Sequence, residues 1–408
     1  MRSIRGSAVR DQDLGVRFCE ESQNFTPDPQ PLTLDPLAIT QLSLTAFRNY
    51  NEATLALTAA PVVLTGPNGS GKTNALEALS LLVPGRGLRR APLAEMQNWN
   101  LAAPWAVAAH LMTPLETLRL GTGRDPEAPE KERRVVHIDG KAAKSQQALA
   151  DHVTMAWITP DMDRLLADGP SVRRKLLDRL VYSFDPAHAG RVHRYEKALR
   201  ERLHLLRDGM VDPAWFEALE DSMAQTGVAI AAARLQLLRQ LQAAMLETAS
   251  AFPQADITLR GFAEEALGHQ PALLVEDKLR AALAGGRQED AQSGTCAVGP
   301  HRSDLAVVHR ARQCPADLCS TGEQKALVIA IMLAYVRVLM RARQVAPLFL
   351  LDDITAHLDD RRRAALFEEV LALNVQAWLT GTDDTQFKWL RPHAQFAAID
   401  QGRLISRQ

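Results

Sequence analysis

The stretch GPNGSGKTN, residues 66–74, decides the fold of this chain. It follows the short apolar run APVVLT, which predicts a buried strand, and it leads into TNALEALSLLV, which predicts a helix with Leu76, Leu79 and Leu82 on one face. An anion at the start of a helix meets unpaired N–H donors and a favourable dipole. The spacing G-x-x-x-x-G-K-T between a strand and a helix therefore predicts a phosphate-binding loop, or P-loop, in an α/β fold.

The P-loop predicts a nucleotide site with ATP and Mg²⁺ as its cofactors. Lys72 would reach the β- and γ-phosphates, and the Thr73 hydroxyl would ligate Mg²⁺. The glycines let the backbone turn its N–H groups inward without an obstructing Cβ atom. The residues expected to hold the triphosphate are Gly66, Pro67, Asn68, Gly69, Ser70, Gly71, Lys72, Thr73 and Asn74.

A second motif, PLFLLDDITAHLDD, lies near the other end of the chain at residues 347–360. Its apolar run ends in two carboxylates, and a buried strand with an aspartate at its tip commonly places that carboxylate opposite a P-loop. We therefore expect Asp352 to ligate Mg²⁺ together with Thr73, and Asp353 to polarise the attacking water. An ordinary strand-to-loop turn is the alternative for such a run alone, but the P-loop in the same chain disfavours it.

Between these motifs, CSTGEQKALVIAIMLAYVRVLM, residues 319–340, begins with small residues and continues as an apolar helix. Its start is a second helix N-terminus that suits an anion, with an N-capped core helix as the alternative. The order of the three motifs resembles the ATP-binding-cassette (ABC) arrangement, in which this segment is the signature motif. That resemblance implies that Ser320 and Gly322 contact, in trans, a γ-phosphate held by a partner's P-loop. It also implies that Asp359, in the D-loop, lies across the same interface, so that ATP joins two subunits.

Composition predicts an ordinary soluble protein. Of the 408 residues, 46% are hydrophobic and 23% are charged, and no apolar run approaches the length of about 20 residues that crosses a bilayer. The cysteines, Cys19, Cys296, Cys314 and Cys319, form no CxxC pair and fit a reducing cytosol. We expect a cytoplasmic protein without a membrane partner. The net charge of −1 neither favours nor excludes nucleic acid, because DNA binding requires only a local basic face.

The long insertion between the P-loop and the signature motif narrows the kind of cassette. Transporter cassettes carry a short insert there, and SMC-type cassettes carry very long coiled coils. Here the run RVHRYEKALRERLHLL, residues 191–206, forms one apolar stripe at helical spacing before RDGMVDP interrupts it. The stripe consists of Val192, Tyr195, Leu199, Leu203 and Leu206. A second helical run extends from about Trp215 to Met245, so the insertion predicts short helical arms.

Three phrases make a closer resemblance. FRNY (residues 47–50), TPDMDRLLADGPSVRRKLLD (159–178) and GPHRSD (299–304) occur in the order seen in the RecF family of bacterial DNA replication and repair ATPases. The similarity runs from about Leu37 to the C-terminus. It implies an α/β fold with an ABC/SMC-like ATPase head, built of mixed β-sheets with flanking helices, an inserted helical lobe and no long coiled coil.

The expected domains follow from this order. Residues 1–36 lack periodicity and end in a proline-rich stretch, which predicts a flexible N-terminal tail. We expect the N-terminal part of the ATPase head, with the P-loop, over residues 37–160. The helical lobe is expected over residues 161–286. The C-terminal part of the head, with the signature motif, the aspartates and the D-loop, is expected over residues 287–408.

The family resemblance also implies a function. It implies a protein that dimerises on ATP, binds double-stranded and gapped DNA at single-strand/double-strand junctions, and cooperates with RecR and RecO to load RecA. Hydrolysis of ATP would be slow, dimer-dependent and stimulated by DNA. The alternatives are a transporter-like or SMC-like cassette with another partner, a nuclease-linked cassette, and a scaffold with a vestigial site. The phrases FRNY and GPHRSD disfavour the first, the chain has no room for a nuclease domain, and intact Lys72, Asp352 and Asp353 disfavour the scaffold.

Further residues carry more specific expectations. Thr382, after the strand that follows Asp353, would be the γ-phosphate switch, and Gln97 is the candidate glutamine that senses Mg²⁺. Stacking of Tyr50 on adenine and a cation–π contact of Arg48 are the roles expected for FRNY, with a surface turn as the alternative. The basic residues expected on DNA phosphates are Arg89, Arg90, Arg173, Arg174, Arg191 and Arg194. A solvated helix face explains each of these arginines equally well.

The sequence departs from the family pattern at four positions. Glu323 stands where the signature usually has glutamine, and Cys296 stands where threonine is favoured. Ser303 replaces an aspartate, and Leu203 replaces an asparagine. These differences bear on rates rather than on the class of protein. The role of GPHRSD stays open, with a structural role weighed for His301.

Overall fold

The computed structural model describes residues 34–101, 103–127, 133–209, 212–356 and 358–407. Residues 1–33, most of the predicted N-terminal tail, lie outside them. Pro36 pairs with Ala346 in a β-bridge, and the Asn374 amide donates to the Leu34 carbonyl at 3.3 Å. Contacts with the rest of the chain therefore begin before residue 37.

Strands and helices alternate along much of the described chain. The strands are β1 (Ala38–Phe47), β2 (Tyr50–Ala56), β3 (Val62–Thr65), β4 (Ala106–Met112), β5 (Thr117–Arg124), β6 (Arg134–Ile138), β7 (Lys141–Ala142), β8 (Met155–Ile158), β9 (Ala255–Arg260), β10 (Asp304–His309), β11 (Cys314–Pro315), β12 (Leu348–Leu351), β13 (Ala377–Gly381), β14 (Gln395–Asp400) and β15 (Arg403–Arg407). The α-helices are α1 (Lys72–Ser80), α2 (Pro170–Tyr182), α3 (His188–Arg207), α4 (Pro213–Glu247), α5 (Phe262–Leu267), α6 (Ala272–Gly285), α7 (Arg287–Ser293), α8 (Thr321–Arg343) and α9 (Asp360–Ala372). Short 3₁₀ helices span Leu93–Met96, Gln146–Asp151, Pro160–Arg164, Ala316–Leu318 and Asp384–Leu390.

In the described chain, a six-stranded central sheet has the order β15-β14-β3-β13-β12-β8. Strand β3 is parallel to β13 and β14, β12 is parallel to β13 and β8, and β15 is an antiparallel edge. All residues of β3 and of β12 are buried, as predicted for APVVLT and PLFLL. Parallel strands bring their carboxyl ends to one edge of a sheet. The P-loop after β3 and the aspartates after β12 therefore lie at the same edge.

A second sheet, antiparallel with the order β2-β1-β4-β5-β6-β7, packs with α1. Along β3, Val62 and Leu64 share an apolar cluster with α1 and this second sheet, whereas Val63 shares another cluster with α8. This alternation is the period of two that a strand with both faces covered shows. The layers are therefore the second sheet, α1, the central sheet and α8, which confirms the predicted mixed α/β head.

Helix α8, which carries the signature motif at its start, is the predicted apolar helix. Its residues from Gln324 to Met340 are buried, apart from the half-buried Arg337. It packs between the central sheet and the C-terminal half of α4, whose Leu237 and Leu241 share its cluster. A helix that is apolar on all sides has to be enclosed in this way. Among the residues that the structure describes, no helix has the length and hydropathy needed to span a membrane.

The helical lobe has its own apolar cluster, formed by α3, the first half of α4, α5 and α6. The predicted stripe on α3 is partly wrong: Tyr195 is buried as expected, but Leu199 is only partly buried and Arg202 is fully buried. Arg202 donates to Glu220 at 2.9 Å and to Asp290 at 2.6 Å. A guanidinium enters a core when acids from other helices pair with it, and spacing along α3 does not reveal them. The sequence limits of the lobe stay a prediction.

Candidate functional site

Lys72 is the first residue of α1 and reaches back over the P-loop. Its Nζ donates to the Gly66 carbonyl at 2.7 Å and to the Pro67 carbonyl at 2.9 Å. Burial lowers the pKa of Lys72, while the carboxylates of Asp353 and Asp352 act to raise it. The ammonium group thus lies within electrostatic range of both acids, and the two motifs from opposite ends of the sequence form one site.

The FRNY turn between β1 and β2 supports the P-loop. Gly71, the N-cap of α1, has a φ of 116°, and a Cβ atom there would lie 2.5 Å from the Asn49 Nδ2 atom. Asn49 donates to the Ser70 carbonyl at 2.8 Å and accepts from the Asn74 amide at 2.7 Å, and the Tyr50 hydroxyl donates to the Gly71 carbonyl at 2.9 Å. Only glycine fits this close approach and this φ. Asn49 was not among the predicted residues, although it lies inside the motif that carries the resemblance.

The adenine contacts expected of FRNY are not what the structure provides. The prediction for Tyr50 is wrong, because its ring is fully buried, and burial raises the pKa of its hydroxyl far above the ordinary value. Arg48 donates through Nε and Nη2 to the two carboxylate oxygens of Glu77 at 2.9 and 2.8 Å, and through Nη1 to the Glu95 carbonyl at 2.7 Å. Glu77 is fully buried in α1, so Arg48 neutralises it there instead of facing a base. The alternative, a surface turn, is right that residues 48 and 49 form a turn, but both are half-buried against the P-loop.

Asp352 joins the P-loop to the central sheet. Thr73 Oγ1 donates to Asp352 Oδ1 at 3.0 Å, and Thr380 Oγ1 donates to the same oxygen at 2.9 Å. Asp352 is 4% exposed, and its burial raises the pKa of the carboxyl against the lowering effect of the two hydroxyls. Mg²⁺ usually takes one or two protein oxygens and completes its shell with phosphates and water. The Thr73–Asp352 pair fits that cation, and the described residues hold no cluster of three His, Cys, Asp or Glu side chains that would bind a metal alone.

Thr380, on β13, is a functional candidate that the sequence did not single out. It is 1% exposed and also accepts a hydrogen bond from the Asp353 N–H at 2.7 Å. Asp353 has a φ of 47° and an exposed side chain. Thr382, the predicted switch residue, lies two residues later, is exposed, and accepts from Gln386 at 2.8 Å. The role of Thr382 stays a prediction. A hydroxyl in a buried central strand is the signal that could have pointed to Thr380.

Gln97 lies beside the FRNY turn, where it forms an isolated bridge with Phe47. Its Oε1 accepts from Arg124 Nη1 at 2.9 Å, and its Nε2 donates to the Leu101 carbonyl at 3.4 Å. Both ends of the carboxamide therefore have partners in the chain. Its role as the glutamine that senses Mg²⁺ stays a prediction.

The signature motif caps its own helix. The Ser320 N–H and Oγ donate to Glu323 Oε2 at 3.0 and 2.9 Å, and Glu323 Oε1 pairs with Arg312 Nη2 at 2.7 Å. The hydrogen bonds from Ser320 hold the pKa of Glu323 below its usual range. Glu323, which stands where the family usually has glutamine, therefore accepts both hydrogen bonds from Ser320.

The D-loop is bonded to the signature helix of the same chain. Arg362 Nη1 donates to the Gly322 carbonyl at 3.1 Å, and Asp359 Oδ1 accepts from the Arg362 N–H at 2.7 Å. Lys325, which is 4% exposed, donates to the Ala356 carbonyl at 2.7 Å. These bonds link Gly322 and Asp359 within one protomer. Their action across a subunit interface stays a prediction.

The arginines predicted to contact DNA differ in their availability. Four of them donate to groups of the same chain: Arg89, Arg173, Arg174 and Arg191. Arg173 forms a bidentate pair with Asp304 at 2.8 and 2.9 Å and is 13% exposed, which disfavours a role on DNA. Arg90 and Arg194 are exposed. DNA contact by the remaining five arginines stays a prediction.

The GPHRSD loop, residues 299–304, fastens the helical lobe to the small sheet β11-β10-β9. His301 Nδ1 and the Tyr195 hydroxyl lie 2.7 Å apart, and His301 Nε2 lies 3.0 Å from the Cys296 carbonyl. Gly299 has a φ of 125°, and a Cβ atom there would lie 2.1 Å from the Tyr195 hydroxyl. Burial lowers the pKa of His301. Both ring nitrogens of His301 have partners inside the chain, which favours a structural role, and that role stays a prediction.

Two departures from the family pattern, Ser303 and Cys296, lie in or next to this loop. Ser303 is fully buried, and its hydroxyl donates to the carboxylate of Glu264, which is also buried. An aspartate at this position would place a second carboxylate against Glu264, so the serine suits its neighbour. The Cys296 carbonyl accepts from the Arg302 Nε at 2.8 Å as well as from the histidine of the loop.

Bacterial relatives resemble this sequence over about 90% of its length. The chain is 48% identical over 366 residues to the DNA replication and repair protein RecF of Mesorhizobium japonicum, with 89% of the chain and 96% of that relative covered. It is 45% identical to the protein of the same name from Allorhizobium ampelinum, with 90% and 98% covered. The chain belongs to the RecF family. No protein-family model matches it.

Solved structures share the fold of this RecF-family chain. The recombination mediator protein RecF-ATPrS in the RecFOR pathway superposes with a TM-score of 0.80 at 22% identity, with 92% of the chain and 99% of that structure covered. The Smc head domain of Pyrococcus furiosus, solved with an extended coiled coil and the C-terminal domain of ScpA, gives a TM-score of 0.51 at 16% identity over 91% of the chain. At these identities the likeness establishes the fold alone, an ABC/SMC-like ATPase head. The predicted family and fold class are confirmed.

Proposed function

We propose that this chain is an ATP-dependent, DNA-binding repair and replication protein that dimerises on ATP and hydrolyses it slowly. The observation that carries the proposal is the hydrogen bond from Thr73 to Asp352 at 3.0 Å. It joins a P-loop at one end of the sequence to a strand-end carboxylate at the other, as an Mg²⁺–nucleotide site requires. A relative in fold was solved as RecF-ATP, which supports ATP as the nucleotide.

Each part of the site has a role in handling the nucleotide. Residues 66–74 hold the triphosphate, and Lys72 exchanges its two carbonyl partners for phosphate oxygens. Thr73 and Asp352 hold Mg²⁺, which when bound neutralises charge on the β- and γ-phosphates. Asp353, exposed next to this pair, orients the attacking water and accepts its proton.

The signature motif acts on the second subunit. Ser320 and Gly322 meet the γ-phosphate bound by the partner, and Asp359 lies across the same interface. The donors of Ser320 are bonded to Glu323 within the protomer, so they have to exchange this carboxylate for the phosphate. Each protomer then supplies half of two sites, which makes hydrolysis dimer-dependent and slow.

The dimer binds double-stranded and gapped DNA at single-strand/double-strand junctions, and it works with RecR and RecO to load RecA. The names of its relatives support this part: DNA replication and repair protein RecF, and the recombination mediator protein of the RecFOR pathway. A DNA that binds the dimer in preference to the monomer stabilises the dimer by mass action. Stimulation of hydrolysis by DNA follows from that linkage.

Size-exclusion chromatography with light scattering tests the proposal. The protein is run with ATP, with ADP and without nucleotide, each with and without a gapped duplex. We expect a dimer with ATP, more dimer when the gapped duplex is present, and a monomer under the other conditions. A monomer that binds ATP tightly would overturn the dimer mechanism. A protein that binds no ATP would overturn the nucleotide assignment itself.

A further inference from the structure

Two thiols lie side by side directly before the signature helix. Cys314 is in β11, and Cys319 follows the 3₁₀ helix Ala316–Leu318 and precedes Ser320. Both side chains are half-buried and therefore reachable by small solutes. Both thiols donate to one acceptor, the Pro315 carbonyl, at 3.5 Å from Cys314 and 3.6 Å from Cys319. The Cys314 thiol also forms a hydrogen bond with the Cys319 thiol, so the two sulfur atoms are neighbours.

The backbone around this pair is held by its own hydrogen bonds. The Cys319 N–H donates to the Ala316 carbonyl at 3.2 Å. Gln324, in the first turn and a half of α8, donates to the Cys319 carbonyl at 2.9 Å and to the Asp317 carbonyl at 3.3 Å. Pro315 fixes one backbone torsion between the two cysteines. An ordered turn, hydrogen-bonded to the signature helix, thus holds the two thiols next to each other.

The third cysteine within the described residues, Cys296, has a different environment. It is 1% exposed, its thiol donates to the Val298 carbonyl at 3.3 Å, and burial raises the pKa of the thiol to about 11. Buried thiols of this kind are inert. Cys296 therefore serves as an internal control for the pair.

We propose that Cys314 and Cys319 form an intramolecular disulfide when a hydroperoxide oxidises them, and that this bond displaces the start of the signature helix. One sulfur, as its thiolate, attacks one peroxide oxygen, the O–O bond breaks, and the sulfur becomes a sulfenic acid. The other, departing oxygen takes up a proton and leaves as water or an alcohol. The second sulfur attacks the sulfenic sulfur, forms the S–S bond and expels water. The two thiols lose two electrons and two protons, and the peroxide bond takes them up.

The bond acts on the signature motif through chain connectivity. An S–S bond of about 2.05 Å requires both sulfurs to leave the shared carbonyl and approach each other. Cys319 is covalently joined to Ser320, whose N–H and Oγ cap α8 through Glu323. Movement at Cys319 therefore changes the capping geometry.

The charges around Cys319 set the pH dependence. Burial, the Cys314 thiol and the Glu323 carboxylate raise the pKa of Cys319, and Arg312 opposes them. Because the thiolate is the reactive form, oxidation accelerates as the pH rises toward this raised pKa.

The test uses the full-length chain with Cys19→Ser, so that the fourth cysteine does not contribute. The protein is treated with an equimolar amount of hydrogen peroxide and analysed by peptide mass spectrometry and amide hydrogen exchange. We expect the peptide that holds both cysteines to lose two hydrogens while Cys296 stays a thiol. Exchange over residues 320–324 increases in the oxidised protein and returns to its starting value after reduction with dithiothreitol.

Single variants provide the matched controls. Cys314→Ser and Cys319→Ser keep the exchange pattern of the reduced protein and lose the mass change. The proposed disulfide would be overturned by two intact thiols after treatment, or by a disulfide between two chains in place of the internal one. An internal disulfide with unchanged exchange over the signature residues would overturn its link to the helix. None of these measurements uses nucleotide, so absence of an ATP-dependent dimer would count against the proposed function and not against the disulfide.

Discussion

The starts of α1 and α8 are both helix N-termini placed to meet phosphate, and their surroundings are opposite. At α1 the N-cap is Gly71, which has no side chain, and the first turn contains no acid. At α8 the N-cap is Ser320, and Glu323 in the first turn accepts hydrogen bonds from it while pairing with Arg312. Both helix dipoles attract a phosphate. At α8 the Glu323 carboxylate competes with the phosphate for the helix start, whereas the first turn of α1 contains no such acid.

The supporting contacts show the same difference. At the P-loop, Asn49 and Tyr50 donate to the carbonyls of Ser70 and Gly71, so the support comes from a distant turn and leaves the N–H groups of the helix start to an anion. At the signature helix, the donors of Ser320 are taken by a residue of the same helix. At the first site Lys72 has to exchange two backbone carbonyls for phosphate, whereas at the second site Ser320 has to exchange a charged carboxylate. On the proposed mechanism, ATP binds the P-loop first and the dimer forms afterwards.

Removing the cation of the P-loop should have the largest effect. Lys72→Ala deletes the side-chain ammonium of the P-loop, and loss of one charge-assisted hydrogen bond costs about 1.5–3 kcal/mol. We expect ATP affinity to fall by about 10- to 100-fold, with loss of dimerisation and hydrolysis, in titration with a fluorescent ATP analogue. Lys144→Ala, at an exposed lysine, is the matched control and keeps the parent affinity. Normal affinity in Lys72→Ala would remove the P-loop assignment.

Blocking the signature should abolish the dimer while sparing nucleotide binding. Ser320→Arg puts a bulky cation at a surface that has to approach a second subunit, and the P-loop of the variant is unchanged. Each of Ser320→Arg and Lys72→Ala alone should be inactive. Their mixture contains one complete composite site, so it should recover at most about half of the parent ATPase activity. Full activity of Ser320→Arg alone would show that the site is complete within one chain.

Removing the exposed acid at the P-loop edge leaves both helix starts intact. Asp353→Asn keeps the size of the side chain but accepts a proton poorly, so hydrolysis should fall by about 10²- to 10⁴-fold. ATP binding and dimerisation should persist, and the dimer should dissociate from DNA more slowly than the parent. Single-turnover hydrolysis and DNA dissociation rates measure these effects. A variant that fails to dimerise would mean that the roles of Asp352 and Asp353 have been assigned wrongly.

The smallest effect should come from the charge that distinguishes the two helix starts. Glu323→Gln keeps a side chain that completes the capping box but removes the anion that competes with a γ-phosphate. A charge at a helix N-terminus is worth about 0.3–1 kcal/mol, and the dimer contains two signature sites, so the ATP-dependent dimer should tighten by about three- to thirtyfold. Sedimentation at several protein concentrations measures this change. A weaker dimer would show that the carboxylate assists the interface.

Local sequence patterns predicted the P-loop, β3, β12 and α8, because each depends on residues close together in the chain. The wrong predictions concern residues whose environment is set by partners far away in the sequence. Tyr50 was expected on adenine, but its hydroxyl bonds the carbonyl of Gly71 and its ring is enclosed. Arg202 interrupts a predicted apolar stripe because acids of two other helices pair with it. Thr380 was missed because its hydrogen-bond partners, the two aspartates after β12, precede it by more than 25 residues.

The position of β3 has a consequence for how the chain is made. Its two neighbours in the central sheet are β13 and β14, which begin at Ala377 and Gln395. During synthesis from the N-terminus, β3 therefore leaves the ribosome long before β13 and β14, the two strands that pair with it, have been made. The helical lobe encloses its apolar cluster with a continuous stretch of sequence, and it can assemble first. Through most of translation the nascent protein carries an unpaired, mostly apolar strand, the kind of segment that chaperones shield.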